Sequence, residues 1–465
     1  MIFSSTVFLF LFLPAVLILN FIIPKKYIAA KNLMLLAASL VFYSWGEPKN
    51  VLLMLGSIVA NYLFGILLEK EEGREARRKL ILIVSLIFNL GLLFVFKYLG
   101  FFTGGRFEIA LPIGISFFTF QIMSYTIDVY RRKAAAQRSI LKIALYISLF
   151  PQLIAGPIVR YVDVEKQLSS RECTAAKTAK GIVRFSIGLA KKVVISNTVS
   201  VIADTVFAVD QGLYSFTAWV GIVCYALQIY YDFSGYSDMA IGIGHMLGFD
   251  FLENFNYPYV SSSVREFWRR WHISLSSWFR DYLYIPLGGN RRGAARTYLN
   301  LLIVFIATGF WHGASFNFIV WGLYYGVFLI VERIVQNREK LNAFFSKIPK
   351  FIGWLYTMTV VLIGWVFFRA DDLPAAVSYL GAMFSFSGGV ANGMAQFSNL
   401  SFFITAAAVL LSAPVFPFLR KKLCAMEAGQ KVSFVLEGVL ALALVFLSVI
   451  FLTGSDYNPF IYFRF

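Results

Sequence analysis

Three histidines, His245, His272 and His312, are the side chains of this 465-residue chain whose charge changes near neutral pH. His312 stands in Gly309-Phe-Trp-His-Gly-Ala314, between two apolar stretches, where an ionisable group is costly without a function or a partner. An imidazole there suits a general-base step that activates a hydroxyl. His272, in Arg269-Arg-Trp-His-Ile-Ser-Leu-Ser276, sits among basic and aromatic residues that fit either a site or a membrane interface. His245, in Gly242-Ile-Gly-His-Met246, has no patterned partner and reads as structural.

Carboxylates come next. Tyr231-Asp-Phe-Ser-Gly-Tyr-Ser-Asp238 is expected to end a span; capping a following helix accounts for Asp238, and Asp232 remains for a polar channel. Asp281, after Arg280, reads as an interfacial ion pair. Cys173, Cys224 and Cys424 have neither disulfide nor zinc spacing, so no metal is expected. Gly-x-Ser-x-Gly, Walker and dinucleotide motifs are absent. The chemistry therefore needs an activated donor brought from elsewhere, with no permanently bound cofactor.

The elements that must position these groups are membrane helices. The chain is 59% hydrophobic and 14% charged, and its apolar residues come in blocks of helix-crossing length. Expected spans are 6–23, 33–47, 50–68, 79–98, 109–128, 181–203, 214–232, 351–368, 400–419 and 433–453, and two apolar pieces, 298–311 and 315–332, meet at the Trp311-His312-Gly313 junction, inside the membrane or beyond it. Pro151, Gly156 and Pro157 make 140–158 a re-entrant hairpin, and 238–250 a short, half-buried glycine-rich piece. Seven arginines among tryptophans and tyrosines make 265–296 an amphipathic interface element. The whole is one domain, 1–465, of about eleven membrane segments. The first apolar block reads as a retained span. A net charge of +17 lies in short loops, where it marks the cytoplasmic side and not nucleic acid, and it puts both termini, with the tail 454–465, outside.

Six segments together resemble one family: Leu111-Pro-Ile-Gly-Ile-Ser-Phe-Phe-Thr-Phe-Gln121 with Ser124-Tyr-Thr-Ile-Asp-Val-Tyr-Arg131; Gln152-Leu-Ile-Ala-Gly-Pro-Ile158; Tyr230-Tyr-Asp-Phe-Ser-Gly-Tyr-Ser-Asp238; Phe267-Trp-Arg-Arg-Trp-His272; Arg280-Asp-Tyr-Leu-Tyr-Ile-Pro-Leu-Gly-Gly-Asn290; and Thr308-Gly-Phe-Trp-His-Gly313. In order and spacing they are similar to the membrane-bound O-acyltransferases (MBOAT) of the alginate O-acetylation branch, and more distantly to the D-alanyl transfer proteins. The resemblance implies an all-α polytopic ring of helices around a thin re-entrant centre pierced by a tunnel. It implies His312 as the essential catalytic residue and His272 as the second family histidine. Asp232, Ser234, Trp311 and Asn290 become candidates for lining the tunnel.

The tail Phe460-Ile-Tyr-Phe-Arg-Phe465 resembles the C-terminal motif of a small membrane partner in D-alanylation, whose tyrosine relays the acyl group. Tyr462 is then either an acyl relay or an aromatic-belt residue. The implied reaction carries an acyl group, acetyl, from a cytoplasmic thioester to hydroxyls of a cell-envelope polysaccharide. The donor is acetyl-coenzyme A or an acylated carrier protein, for which the basic face 265–296 offers a dock, and an extracytoplasmic SGNH-type acetyltransferase is the expected partner. A lipid or protein O-acyltransferase of the same family, or a non-catalytic transporter or flippase, are the alternatives.

Overall fold

The computed structural model describes residues 1–209, 212–389, 397–426, 429–454, 457 and 459, and among these there are helices and connections but no strand. Seven helices are long and apolar enough to cross a membrane, or eight if a pair bent by 62° is one span. The apolar helices Phe8–Ile22, Ile28–Ser44 and Leu373–Met383 are shorter, at 10–17 residues, so fewer crossing-length helices occur among the described residues than the sequence leads one to expect. The chain divides into two compact units, Met1–Gly188 with Tyr236–Glu253, and Leu189–Gly235 with Asn254–Phe465.

The first unit contains α1 (Leu13–Ile22), α2 (Ile28–Ser44), α3 (Asn50–Lys70), α4 (Glu75–Lys97), α5 (Ile115–Tyr130), α6 (Ile140–Ser148), α7 (Tyr161–Ser169) and most of α8 (Ala175–Ala190). Helices α3 and α4 expose Leu52, Leu63, Leu80 and Ile87, as a lipid solvent requires. Helix α5 is buried from Ile115 to Val129 and forms the unit's centre. Against it lies α6, whose nine residues and the following turn Phe150–Leu153 are too short to cross a bilayer. Tyr146 of α6 fixes this segment by donating to the carbonyls of Gln121 at 3.1 Å and Val159 at 2.9 Å.

Helix α8 continues through a π-helical segment, Lys191–Ser196, into α9 (Asn197–Phe207). Helix α10 (Ser215–Met246) corrects two expectations. The glycine-rich stretch from 238 is not a separate half-buried piece but the buried second half of one 32-residue helix. Its glycines permit close helix packing, since a Cβ on Gly242 would stand 2.7 Å from the carbonyl oxygen of Gly181 on α8. Asp238 consequently caps nothing; it lies inside the helix and accepts from Arg184 Nε at 2.8 Å, and Arg184 also pairs with Glu253.

The second unit holds α11 (Val264–Arg270), α12 (Ile273–Phe279), α13 (Ala294–His312), α14 (Phe316–Asn337), α15 (Glu339–Ser346), α16 (Lys350–Arg369), α17 (Leu373–Met383), α18 (Asn399–Leu411), α19 (Val415–Cys424) and α20 (Gly429–Thr453). The bent pair is α18 and α19. Its core is aromatic, built on Tyr225, Phe267, Trp271, Trp321, Tyr325 and Trp365. The arginine- and tryptophan-rich segment folds as two seven-residue helices and a π turn, and two of its tryptophans, Trp271 and Trp278, turn inward instead of lying at an interface. Arg280 and Asp281 pair at 2.7 Å, as expected.

Candidate active site

His312 owes its position to the hairpin of α13 and α14. Gly309 and Gly322 allow the two helices to touch backbone to backbone, because a Cβ on either would collide with the carbonyl of Phe318 or Phe305. His312 is the last residue of α13; Gly313 is extended, and Ser315 then starts α14 by accepting the N–H of Asn317 at 3.3 Å. The imidazole, 6% exposed, is walled by Trp311, Trp321 and Phe368 at centroid distances of 5.0, 5.3 and 5.0 Å, each edge to face.

His272 is placed differently. It precedes α12 in left-handed backbone at φ 44°, and is 1% exposed. Its Nδ1 lies 3.1 Å from Asn254 Oδ1 and 3.4 Å from Ser274 Oγ. Asn254 Oδ1 also accepts the backbone N–H of Ser274 at 3.2 Å and its hydroxyl at 2.8 Å. The ring stands edge to face on Phe233 at 4.6 Å, and Nε2 is buried without a hydrogen-bond partner among the described residues. Burial pushes this imidazole down to about 3, so the ring is neutral at physiological pH.

The two histidines share a neighbour. Trp311, 5.0 Å from His312, is 6.2 Å from His272, so both imidazoles lie against one indole. On α10, on either side of the Phe233 that packs against His272, Asp232 forms a buried ion pair with Lys192 at 2.6 Å and Ser234 is also buried. Lys192 in turn donates to the carbonyl of Pro459, Asn197 Nδ2 reaches the carbonyl of Tyr457 at 3.4 Å, and the Tyr457 hydroxyl donates to Asp204 at 2.5 Å. The described tail residues therefore lie along the segment from Lys192 to Asp204; Tyr462 is outside the described residues.

Asn290 is exposed in the turn before α13, at the opposite end of that 19-residue helix from His312, about 28 Å along its axis. His245 lies near the end of α10, with Nε2 3.5 Å from Asp250. Sequence reasoning missed Asn254, Lys192 and the ring wall of Trp321 and Phe368. Asn254 carries no local signal in Glu253-Asn-Phe-Asn-Tyr-Pro258, whereas Lys192, a lysine within an apolar block, was open to notice as a charge needing a buried partner.

The sequence profile described as "MBOAT, membrane-bound O-acyltransferase family" matches residues 74–370. Among curated proteins, the chain is 39% identical to the "Probable alginate O-acetylase AlgI" of Pseudomonas putida, over 100% of both chains. It is 38% identical to the "Peptidoglycan O-acetyltransferase" of Helicobacter pylori, over 83% of this chain and 80% of that one. Its identity to the "Teichoic acid D-alanyltransferase" of Bacillus subtilis is 28%, over 54% of this chain and 65% of the relative.

Proposed function

The chain belongs to the membrane-bound O-acyltransferase family, and from that premise we propose that it carries an acetyl group from a cytoplasmic thioester across the membrane to hydroxyls of a cell-envelope polysaccharide. The supporting relatives are two named for O-acetylation, one of alginate and one of peptidoglycan. The observation that carries the reading is the approach of His272 and His312, from two separate motifs, to one buried indole, Trp311.

In this reading His312 takes the proton of the attacking hydroxyl. The oxygen bonds to the thioester carbonyl carbon, the carbon–sulfur bond breaks, and the thiol leaves carrying a proton. His272 orients donor or acceptor. Asp232, Ser234 and Trp311 line the route, and the arginines between 265 and 296 dock an anionic donor, either acetyl-coenzyme A or an acylated carrier protein. Both termini face the extracytoplasmic side. Tyr462 is the first acceptor, passing its ester to an SGNH-type acetyltransferase that modifies the polymer; the support for this relay is that Pro459, three residues before it, reaches Lys192 beside Asp232.

The test is base-released acetate from the polymer in cells carrying the wild type, His312→Ala or Tyr462→Phe, with intact mass of each purified protein after incubation with acetyl-coenzyme A. His312→Ala is expected to lower transfer by about 10²–10⁴-fold. Undiminished transfer would end the general-base assignment. Tyr462→Phe with normal insertion and full transfer would end the relay and leave the family reaction standing.

A further inference from the structure

The hydrogen bonds around His272 fix where its proton resides. The backbone N–H of Ser274 only donates, so the Asn254 side-chain atom facing it at 3.2 Å is the oxygen and not the amide nitrogen. The Ser274 hydroxyl spends its one proton on that same oxygen at 2.8 Å, leaving a lone pair toward the histidine. Both atoms next to Nδ1 are therefore acceptors, and a neutral imidazole satisfies them only by carrying its hydrogen on Nδ1. Nε2 is then a bare lone pair, fully buried, with no partner among the described residues. An unsatisfied buried acceptor of this kind is costly to the fold, which marks it as a group held ready for a ligand.

We propose that Asn254 is a positioning residue for the acyl transfer: it locks His272 in the Nδ1–H tautomer, so that Nε2 enters the site as an acceptor for a protic group of the substrate and is barred from donating to the acyl oxygen. The role of His272 in the reaction rests on the proposed function; the tautomer does not. Two more contacts hold the arrangement. Asn254 is 0% exposed, and its backbone carbonyl accepts the N–H of Ile273 at 2.9 Å, so the loop bearing Asn254 is fastened to the start of α12 on both sides of its side chain. The left-handed backbone of His272 turns its ring back toward that loop.

The experiment is nitrogen-15 NMR of full-length protein labelled at histidine, in nanodiscs, with acyl transfer measured on the same preparations. Only three histidines need assignment, and His245→Gln and His312→Gln separate them. Wild type is expected to show a protonated Nδ1 and bare Nε2 at His272 from pH 5 to 8. Asn254→Asp, an acceptor in the same place, should keep this pattern and most of the transfer. Asn254→Ala should mix the tautomers and lower transfer about 10–100-fold while the His312 resonances stay in place. A wild-type proton on Nε2, an unmixed tautomer in Asn254→Ala, or full transfer despite mixing would each overturn the proposal. Since the wild-type spectrum decides the tautomer alone, a poorly folding Asn254→Ala does not remove the test. A failure of His312→Ala to affect transfer would count against the proposed function and leave the spectra untouched.

Discussion

The two histidine corners are built by opposite means. At His272 the ring is held through the contacts of its Nδ1 with Asn254 Oδ1 and Ser274 Oγ, and its backbone lies in the left-handed region. At His312 the ring is framed by flat aromatic walls at the tip of a helical hairpin whose glycines set its depth. Hydrogen bonds specify which nitrogen carries the proton, whereas ring walls specify where the ring sits. The first arrangement suits a group that must keep one face in a set direction, the second a group that must be held at a set depth.

The sharpest way to break this contrast is Phe368→Ala. Losing the ring beside His312 should cost about 3–5 kcal/mol in unfolding experiments and lower transfer, while the His272 nitrogen spectrum stays as in wild type. If the His272 spectrum changes as well, the two corners are one unit. Phe233→Leu tests the other side with a smaller change. It should cost about 1 kcal/mol and leave the His272 tautomer intact, because Asn254 and not the ring sets it. A tautomer shift in this variant would transfer the credit to packing.

The smallest effect concerns pH. His272, lowered by burial from its ordinary 6.5 to about 3, should leave no limb in the rate profile between pH 5 and 8. Its signature belongs to stability instead. Above about 6.5 both folded and unfolded rings are neutral and nothing changes; as pH falls from there toward 3, the unfolded ring takes a proton that the folded one refuses, and stability drops. Melting temperature against pH for wild type and His272→Asn checks this, the variant being expected to show the flatter curve.

Much of this was legible in the residues. The apolar blocks located the long helices, the proline and glycine of 151–157 marked a segment that does not cross, and the motif around Trp311 singled out His312 at a helix junction. The continuity of α10 was not legible, because glycines at 242 and 244 read as helix breakers until the packing of Gly242 against α8 and of Gly244 against Phe251 is seen. Asp232 was singled out, but its partner Lys192 is forty residues away, and nothing local joins them. Asn254 was invisible for the same reason: its work is done on a residue 18 positions further along, and an asparagine ahead of a proline-containing turn has an ordinary local explanation.

The backbone of His272 has a consequence for how such a protein ages under selection. A histidine in left-handed geometry gives up about 1–2 kcal/mol relative to an ordinary conformation, a strain that glycine or asparagine would relieve. Directed evolution for heat tolerance alone would therefore drift toward replacing this side chain and, on the role proposed for His272, would trade turnover for durability. A thermostability screen of this protein needs a transfer assay alongside it, or its first winners will be enzymes that have forgotten their reaction.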